Sequence, residues 1–251
     1  MRIVIIGSGN VGSVLGRLCK QNEHEIIQVF SRHVNQAVSL AKELKCGLTD
    51  QLNCIDTEAD LYLVALTDAA LVDLKNHLFL GNKLILHTAG SVSKEVLKDI
   101  SLQYGVLYPL QSLRKEMTYS EDIPFVIDGN SDAVKSQITD FVKTISSNFS
   151  FATDEERIKL HLAAVIVSNF TNHLYALAEQ FCNVEKIDFS LLWPLIKETA
   201  RRVQVISPSI VQTGPAVRKD MLTIEKHISL LANHPELKAL YQNMTDSIMK
   251  I

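Results

Sequence analysis

The sequence predicts an α/β fold in which a doubly wound parallel sheet is followed by an all-helical C-terminal domain. Three observations carry this prediction. A buried apolar run at residues 3–6 leads directly into a glycine-rich turn and a helix. Short apolar runs then alternate with helical periods as far as residue 152, which is typical of parallel strands joined by crossover helices. From residue 153 onward the chain shows helical periods and no strand-like run. We therefore expect two domains, 1–152 and 153–251.

The composition is that of an ordinary globular protein. The chain has 251 residues, of which 47% are hydrophobic and 21% are charged, so it can bury a sizeable core. Its net charge of -3 offers no basic surface to nucleic acid, and no stretch has the apolar length of a membrane span. The first strand begins at residue 2 or 3, which leaves no room for a signal peptide. The four cysteines are scattered, so we expect reduced thiols in a cytoplasmic protein. From the charge and the apolar pattern we expect neither nucleic-acid nor membrane partners.

The glycine-rich turn has the spacing G-x-G-x-x-G between a strand and a helix. In that context Gly7 allows the tight turn, Gly9 lets a pyrophosphate approach the backbone, and Gly12 lets the helix pack close to the strand. The free N–H groups at the start of the helix would hold the phosphates. The alternative is a plain strand-to-helix turn. We expect a dinucleotide to contact Gly7, Ser8, Gly9, Asn10, Val11 and Gly12.

The end of the second predicted strand favours NADP(H) over NAD(H). An NAD-preferring site carries an acidic residue there, which binds the ribose 2′-hydroxyl. Here Ser31 and Arg32 occupy the place, and both would bind a 2′-phosphate. An ordinary solvated arginine at a strand end is the alternative interpretation of Arg32.

Further apolar runs extend the sheet. We predict strands at Glu25–Phe30, Cys46–Thr49, Leu61–Leu66, Lys83–Thr88 and Val106–Tyr108, with a helix at Asn35–Leu44. A strand, helix and strand at Phe125–Ile127, Ala133–Ile145 and Phe149–Ala152 would extend the sheet at its edge.

Polar residues follow the fourth and fifth predicted strands. Ligands of open α/β sheets bind at the carboxyl ends of the strands, so Thr67 and Thr88 could line the ribose or the nicotinamide. Asp68 and Ser91 could equally cap the helices that follow them. We predict cofactor contacts at Leu66, Thr67, Asp68, Thr88 and Ala89, and a substrate contact at Ser91.

A long apolar helix that begins after Thr153 and reaches about Cys182 carries a polar stripe. At 100° per residue, His161, Ser168 and Asn172 fall within about 40° of one direction, with Asn169 on the flank of the stripe. These side chains either form a satisfied polar seam between helices or face a substrate cleft. No metal site is expected, because the histidines of the helix are twelve residues apart without a third ligand at a recognisable spacing.

Three more helices are predicted beyond the long one. The first covers Phe189–Val205, the second opens at Thr213-Gly214-Pro215, and the last follows His234-Pro235. The start of the second helix, together with Arg218, would form an anion site for the substrate. A surface pair between Arg218 and Asp220 is the alternative.

Several stretches together resemble one family. They are the glycine turn, His87-Thr88-Ala89-Gly90-Ser91, Tyr108-Pro109-Leu110-Gln111-Ser112-Leu113, Leu160–Ala164 with Ser168–His173, and Gly214-Pro215 with Arg218. The sequence is similar to Rossmann-type NADP oxidoreductases, relatives of pyrroline-5-carboxylate reductase, deazaflavin-dependent NADP reductases and 3-hydroxyacid dehydrogenases. The resemblance covers nearly the whole chain. It implies a Rossmann domain, a helical C-terminal domain, NADP(H) as cofactor and a dimer, but it supplies no substrate.

One position departs from the resemblance. The 3-hydroxyacid dehydrogenases carry a lysine four residues before an asparagine on this helix. If Asn169 matches that asparagine, Val165 occupies the lysine place and the general acid is missing. His161 lies one turn earlier and could replace it as proton donor. The catalytic candidates are therefore His161, Asn169 and Asn172, with Ser91, Ser168 and Arg218 for the substrate.

Two functions follow from these residues. The first is an NADP(H)-dependent oxidoreductase that moves a hydride between nicotinamide and a small C=O or C=N substrate. The second is a non-catalytic NADP(H)-binding redox sensor or scaffold, which the missing lysine favours. We also predict a homodimer built from the C-terminal helices, because they offer more apolar surface than a small domain can cover.

Overall fold

The computed structural model describes residues 1–117, 119 and 122–250, apart from the side chain of Gln36. Its centre is a sheet of eight strands in the order β3-β2-β1-β4-β5-β6-β7-β8. The strands are β1 Arg2–Ile6, β2 Glu25–Phe30, β3 Gly47–Thr49, β4 Leu61–Val64, β5 Gly81–His87, β6 Ser101–Pro109, β7 Phe125–Gly129 and β8 Phe149–Phe151. The first six strands have the Rossmann order, so the predicted fold class is confirmed.

The central strand β1 is buried on both faces. Ile3 and Ile5 belong to one hydrophobic cluster, whereas Val4 and Ile6 belong to another. Successive side chains of a strand point to opposite faces, so the apolar run packs against a helical layer on each side. This packing brings the end of β1, and the glycine turn after it, to the carboxyl edge of the sheet.

The edge of the sheet beyond β6 differs from the rest. Strands β1 to β6 pair in parallel, but β7 runs antiparallel to β6, and β8 is parallel to β7. A parallel neighbour needs a long crossover connection, usually a helix. Residues 101–109 and 125–129 are joined instead by a segment in which the described residues form no helix, and the chain returns antiparallel.

The helices begin with α1 Asn10–Gln21, α2 Val34–Leu44, α3 Asp68–Asp73 and α4 Asp132–Ile145, which flank the sheet strands in sequence. Helix α5 covers Asp154–Ala164 and is followed by a π-helical turn at Val165–Phe170. The remaining helices are α6 Thr171–Val184, α7 Trp193–Arg202, α8 Met221–Leu230 and α9 Pro235–Ile248.

By internal packing, the chain forms two compact units, Met1–Asn169 and Phe170–Ile251. The predicted division near residue 152 rests on composition, and it stays a prediction. All the described members of the three hydrophobic clusters lie in the first unit. The second unit is helical and leaves many large apolar side chains exposed, among them Trp193, Val205, Ile210, Leu222 and Leu230.

No helix in the described part of the chain is long and apolar enough to span a membrane.

Candidate active site

The glycine turn is built around close backbone contacts. Gly7 has a φ of 116°, and a Cβ there would lie 2.2 Å from the carbonyl oxygen of Ala65. A Cβ at Gly12 would lie 1.9 Å from the carbonyl oxygen of Gly7, so only glycine lets α1 begin this close to the turn. A Cβ at Gly9 meets no atom within 4 Å, which leaves open space beside the backbone there.

The first turn of α1 is open to an anion. Its N-cap residue, Gly9, provides no side-chain hydrogen bond, and the turn contains no acidic residue. The N–H groups and the positive end of the helix dipole therefore stay available, which is the arrangement that binds phosphate. These residues fit the pyrophosphate of a dinucleotide.

The end of β2 lies beside the glycine turn. Ser31 is buried, and its hydroxyl accepts a hydrogen bond of 2.8 Å from the hydroxyl of Ser8. Arg32 is exposed, and within the described residues its guanidinium makes no hydrogen bond. The backbone N–H of His33 also donates to Ser31 Oγ, at 3.2 Å. The structure thus brings Ser31 to the turn and leaves the Arg32 cation free to meet a ligand.

The residues that follow β4 are linked by hydrogen bonds to those that follow β5, at the carboxyl edge of the sheet. The Ser91 hydroxyl donates to Asp68 at 2.7 Å, so these two side chains bind each other rather than each capping its own helix. Thr88 is buried and its hydroxyl donates to the carbonyl of Val64 at 3.2 Å. Leu66 and Ala89 are half-buried, whereas Thr67 is exposed. This edge therefore has one inward-facing hydroxyl, that of Thr88.

A cavity of about 590 Å³ lies at this edge within the first unit. Its lining combines the start of α1, the end of β5, the segment after β6 and one face of α5 with the π turn. No Asp, Glu, Lys or Arg side chain is among the lining residues, which are Val11, Thr88, Tyr108, Pro109, Leu110, Gln111, Ser112, Leu160, His161, Ala163, Ala164, Val165, Val167, Ser168 and Asn169.

The predicted polar stripe is divided among α5, the π turn and α6. His161, Ser168 and Asn169 all line the cavity, but Asn172 is exposed on α6 and is not one of its lining residues. The π turn, which is closed by i→i+5 bonds, departs from the 100° per residue on which the predicted stripe depends. His173 is also exposed.

His161 is hydrogen-bonded to a tyrosine for which the sequence predicts no role. The hydroxyl oxygen of Tyr108 lies 2.9 Å from His161 Nδ1, and the two rings meet edge to face with centroids 5.7 Å apart. Tyr108 is the last residue but one of β6. Its position at the carboxyl end of a predicted strand could have indicated a role in the site, because the predictions at Thr67 and Thr88 rest on the same kind of position. Burial raises the pKa of the Tyr108 hydroxyl, while the charge of Arg157 acts to lower it.

Two buried basic groups, His87 and Arg157, interact electrostatically with each other, and Arg157 also acts on Tyr108. His87 is 0% exposed and Arg157 is 1% exposed. Arg157 donates to the carbonyl of Val92 and, at 2.8 Å, to the carboxylate of Asp154. Burial lowers the pKa of His87 to about 4, and the charge of Arg157 acts in the same direction. Arg157 was missed, because it stands neither at the end of a predicted strand nor on the polar stripe. His87 stands near the end of the predicted strand Lys83–Thr88 and belongs to the resemblance, but it was given no role of its own.

The segment that contains Arg218 differs from its prediction. Residues 215–219 form turns, and α8 begins only at Met221, with Asp220 as its N-cap. The side chain of Asp220 accepts hydrogen bonds from the backbone N–H and the hydroxyl of Thr223, so Asp220 caps the start of α8. Arg218 is exposed, without a hydrogen bond in the described structure. No helix start therefore lies beside Arg218 to form the predicted anion site.

Metal ligation has no visible basis in the described residues, since no group of three or more His, Cys, Asp or Glu side chains is placed to hold an ion. All four cysteines are free thiols.

Two family models match the chain. The model described as NADP oxidoreductase, coenzyme F420-dependent, matches residues 2–89. The model described as domain of unknown function DUF2520 matches residues 123–248. Among curated proteins, none matches this chain.

Solved structures are similar over the whole chain. A protein from Bacteroides fragilis, described as a "putative NADP oxidoreductase", is 36% identical, with a TM-score of 0.94 over 100% of this chain and 98% of its own. A protein from Thermotoga maritima is 21% identical, with a TM-score of 0.72 over 99% and 97%. An imine reductase from Myxococcus stipitatus, solved with NADP+, is 15% identical, with a TM-score of 0.66 over 100% and 92%. The last two similarities extend to the fold alone.

Proposed function

This chain belongs to the family of Rossmann-type NADP oxidoreductases that carry the DUF2520 domain, and we propose that it transfers a hydride between NADP(H) and a small C=O or C=N substrate. The observation that carries the proposal is the 590 Å³ cavity, whose lining joins the start of α1 to His161 and Asn169. Bound NADP(H) supplies the hydride, while the protein supplies binding, orientation and a proton.

The cofactor contacts follow from the edge of the sheet. The glycine turn, with Ser8, Asn10 and Val11, holds the pyrophosphate on the free N–H groups of α1. Ser31 and Arg32 bind the 2′-phosphate, because a hydroxyl and a guanidinium can both donate to it. The ribose and nicotinamide lie along Leu66, Thr67, Asp68, Thr88 and Ala89.

His161 is the proton donor in this proposal. It lines the cavity, and within the described residues its Nε2 forms no hydrogen bond and is not one of the buried unpartnered atoms. That nitrogen is therefore accessible to a substrate. Asn169 orients the reacting oxygen or nitrogen, and Ser168 hydrogen-bonds the substrate from the same π turn. Asn172, Ser91 and Arg218 remain predictions for the site, since none of the three lines this cavity.

The lining favours a neutral substrate. It contains no charged side chain, and most of it is apolar. A carboxylate placed there would lose hydration without gaining an ionic partner, which is strongly unfavourable. A neutral ketone, aldehyde or imine pays no such penalty, so we expect these to be reduced in preference to 2-oxo acids.

A homodimer through the helices of the second unit is part of the proposal. In that unit Ile210 is 77% exposed and Leu222 is 74% exposed, and several other large apolar side chains are exposed with them. Large exposed apolar areas mark surfaces that another protein covers. The cytoplasm is the proposed location, because all four thiols are free.

The test is oxidation of NADPH, followed by its absorbance, with a panel of small neutral ketones, cyclic imines and 2-oxo acids. The expected result is turnover with at least one neutral compound and slower or no turnover with the 2-oxo acids. Tight binding of NADPH without oxidation by any member of the panel would contradict the proposal and support a non-catalytic sensor or scaffold.

A further inference from the structure

The space beside Gly90 is what allows the Tyr108–His161 pair to form. A Cβ built on Gly90 would lie 2.6 Å from His161 Nδ1 and 2.9 Å from Cζ of Tyr108. Gly90 does not have a positive φ, so its backbone could carry a side chain without strain. Glycine is therefore needed here for space alone, and the space it leaves contains the hydrogen bond between the two rings.

The direction of that hydrogen bond follows from the other atoms. Tyr108 is buried, and His161 Nδ1 is the hydrogen-bond partner of its hydroxyl in the described structure. If Nδ1–H were the donor, the O–H of Tyr108 would have no acceptor among the described protein groups, whereas donation by Tyr108 uses the lone pair of Nδ1. If the tyrosine donates, its hydroxyl is satisfied and the ring proton of neutral His161 is on Nε2. The accessible nitrogen of His161 is then the one that carries the proton.

A neutral imidazole can give up its Nε2 proton only if another proton reaches Nδ1. Tyr108 is in contact with Nδ1 and has such a proton. Burial raises the pKa of the Tyr108 hydroxyl, and the positive charge of Arg157 acts against that rise. In the described structure the Nε and Nη1 atoms of Arg157 are buried without partners, so this cation is only partly compensated. A cation nearby stabilises the phenolate that remains when Tyr108 loses its proton.

We propose that Tyr108 fixes His161 as the Nε2–H tautomer and replaces the proton that His161 gives to the substrate, with Gly90 providing the space for both rings. This inference rests on the proposed function. During reduction, the Nε2–H bond of His161 breaks as an O–H or N–H bond forms on the substrate. The Tyr108 O–H bond breaks as the Nδ1–H bond forms. After the product leaves, Nδ1 returns its proton to the phenolate while Nε2 takes a proton from water, which leaves hydroxide and restores the starting tautomer. The hydride comes from NADPH, so atoms and charges balance.

The tautomer is tested first, because it can be measured without any turnover. In protein with ¹⁵N-labelled histidine, the ring nitrogens of His161 are assigned by their loss in His161→Gln. We expect the Nε2–H form in the unmodified protein and a mixture of tautomers in Tyr108→Phe. Tyr104→Phe is the matched control, since Tyr104 lies on the same strand and donates to Glu95 instead. An Nδ1–H form in the unmodified protein, or no change in Tyr108→Phe, would overturn the proposal.

The proton step is tested by pH profiles on the panel compound that is reduced fastest. Without Tyr108, His161 can donate only as imidazolium, whose fraction falls as pH rises. We therefore expect kcat of Tyr108→Phe to fall with rising pH more steeply than in the unmodified protein, and to be at least ~10-fold lower at alkaline pH. The charged group that acts on Tyr108, Arg157, is the same in both proteins.

Gly90→Ala gives an independent test. Because the new Cβ displaces the two rings, kcat should fall at least ~10-fold, while the KM for NADPH stays within about two-fold. Gly47→Ala is the control, because its Cβ meets only Ile27 and Gln28, and it should match the unmodified protein. Identical pH profiles for Tyr108→Phe and the unmodified protein would overturn the relay. If no panel compound is reduced, the proposed function fails, and the tautomer measurement still decides the pairing.

Discussion

Ser8 and Ser31 are joined by a hydrogen bond of 2.8 Å between their hydroxyl groups. Ser8 lies inside the glycine turn, and Ser31 follows β2, so the bond connects the expected pyrophosphate site to the expected 2′-phosphate site. Burial of Ser31 holds this connection in place before any ligand arrives. A cofactor with a 2′-phosphate would therefore meet a preformed hydroxyl and needs to order only the exposed side chain of Arg32.

Cofactor preference should depend on Arg32. We expect NADPH to bind more tightly than NADH, and Arg32→Ala to narrow the difference by about 1–3 kcal/mol, which is the scale of a charge-assisted hydrogen bond. Both cofactors can be titrated by fluorescence. Arg201→Ala is the control, because Arg201 pairs with Glu198 on α7. Equal affinities of the unmodified protein for the two cofactors would contradict the assignment.

The glycines of the turn should differ in what they contribute. In Gly12→Ala the new Cβ collides with the carbonyl of Gly7, so we expect a loss of at least ~1–3 kcal/mol in the free energy of unfolding without ligand. In Gly9→Ala the Cβ meets no protein atom, so stability should change by no more than about 0.5 kcal/mol. NADPH affinity should nevertheless fall in Gly9→Ala, because the methyl group occupies space that the pyrophosphate needs. Denaturant unfolding and cofactor titration measure the two effects, and unchanged affinity in Gly9→Ala would remove the turn from the cofactor site.

The sequence predicted the sheet well because its evidence is local. The run 3–6 is apolar at every position, which is typical of a parallel strand that is buried on both faces. The direction of β7 was harder to predict, because it depends on what connects it to β6 rather than on its own residues. The strand pattern at Phe125–Ile127 is the same for either direction.

The candidate site was predicted in part for a similar reason. His161, Ser168 and Asn169 could be found from their spacing, but the projection assumed a regular α-helix and therefore included Asn172. A π turn has no residue signature in Val165–Phe170 that would distinguish it from an α-helix. The importance of Gly90 could not be predicted either, because it depends on two rings from β6 and α5 that come together only in the folded chain.

The proposed homodimer should be detectable by light scattering. At micromolar concentration we expect a mass about twice the 28.0 kDa of one chain. Leu222→Glu should shift the mass toward the monomer, since a charge buried in an apolar interface is unfavourable. Phe79→Glu is the matched control, because Phe79 is equally exposed but lies in the first unit. A monomer at this concentration in the unmodified protein would count against the dimer.

His87 should make the protein less stable in acid. Its pKa is about 4 in the folded protein, against an ordinary value of 6.5, so between these values the unfolded chain binds a proton that the folded protein does not. The free energy of unfolding must therefore fall as pH falls from 6.5 toward 4, by up to roughly 3 kcal/mol. Nδ1 accepts a hydrogen bond from the N–H of Ala89, which a protonated ring could not do.

His87→Asn keeps an acceptor near the position of Nδ1 but cannot titrate. Its stability should decline less between pH 6.5 and pH 4 than that of the unmodified protein, as measured by denaturant unfolding at each pH. His77→Asn, at an exposed histidine, should follow the unmodified protein. Parallel curves for His87→Asn and the unmodified protein would show that His87 is not the source of the acid sensitivity.

His161→Gln separates a catalytic histidine from a structural one. Glutamine can still hydrogen-bond Tyr108, so we expect the fold and the NADPH affinity to be retained. It cannot donate an acidic proton, so turnover should fall about 10²-fold or more, which is the usual contribution of a placed general acid. Unfolding curves, NADPH titration and turnover per folded molecule distinguish the two roles. A histidine that only completes the packing of Gly90 and Tyr108 would lower stability and leave turnover per folded molecule unchanged, and that result would remove His161 from the mechanism.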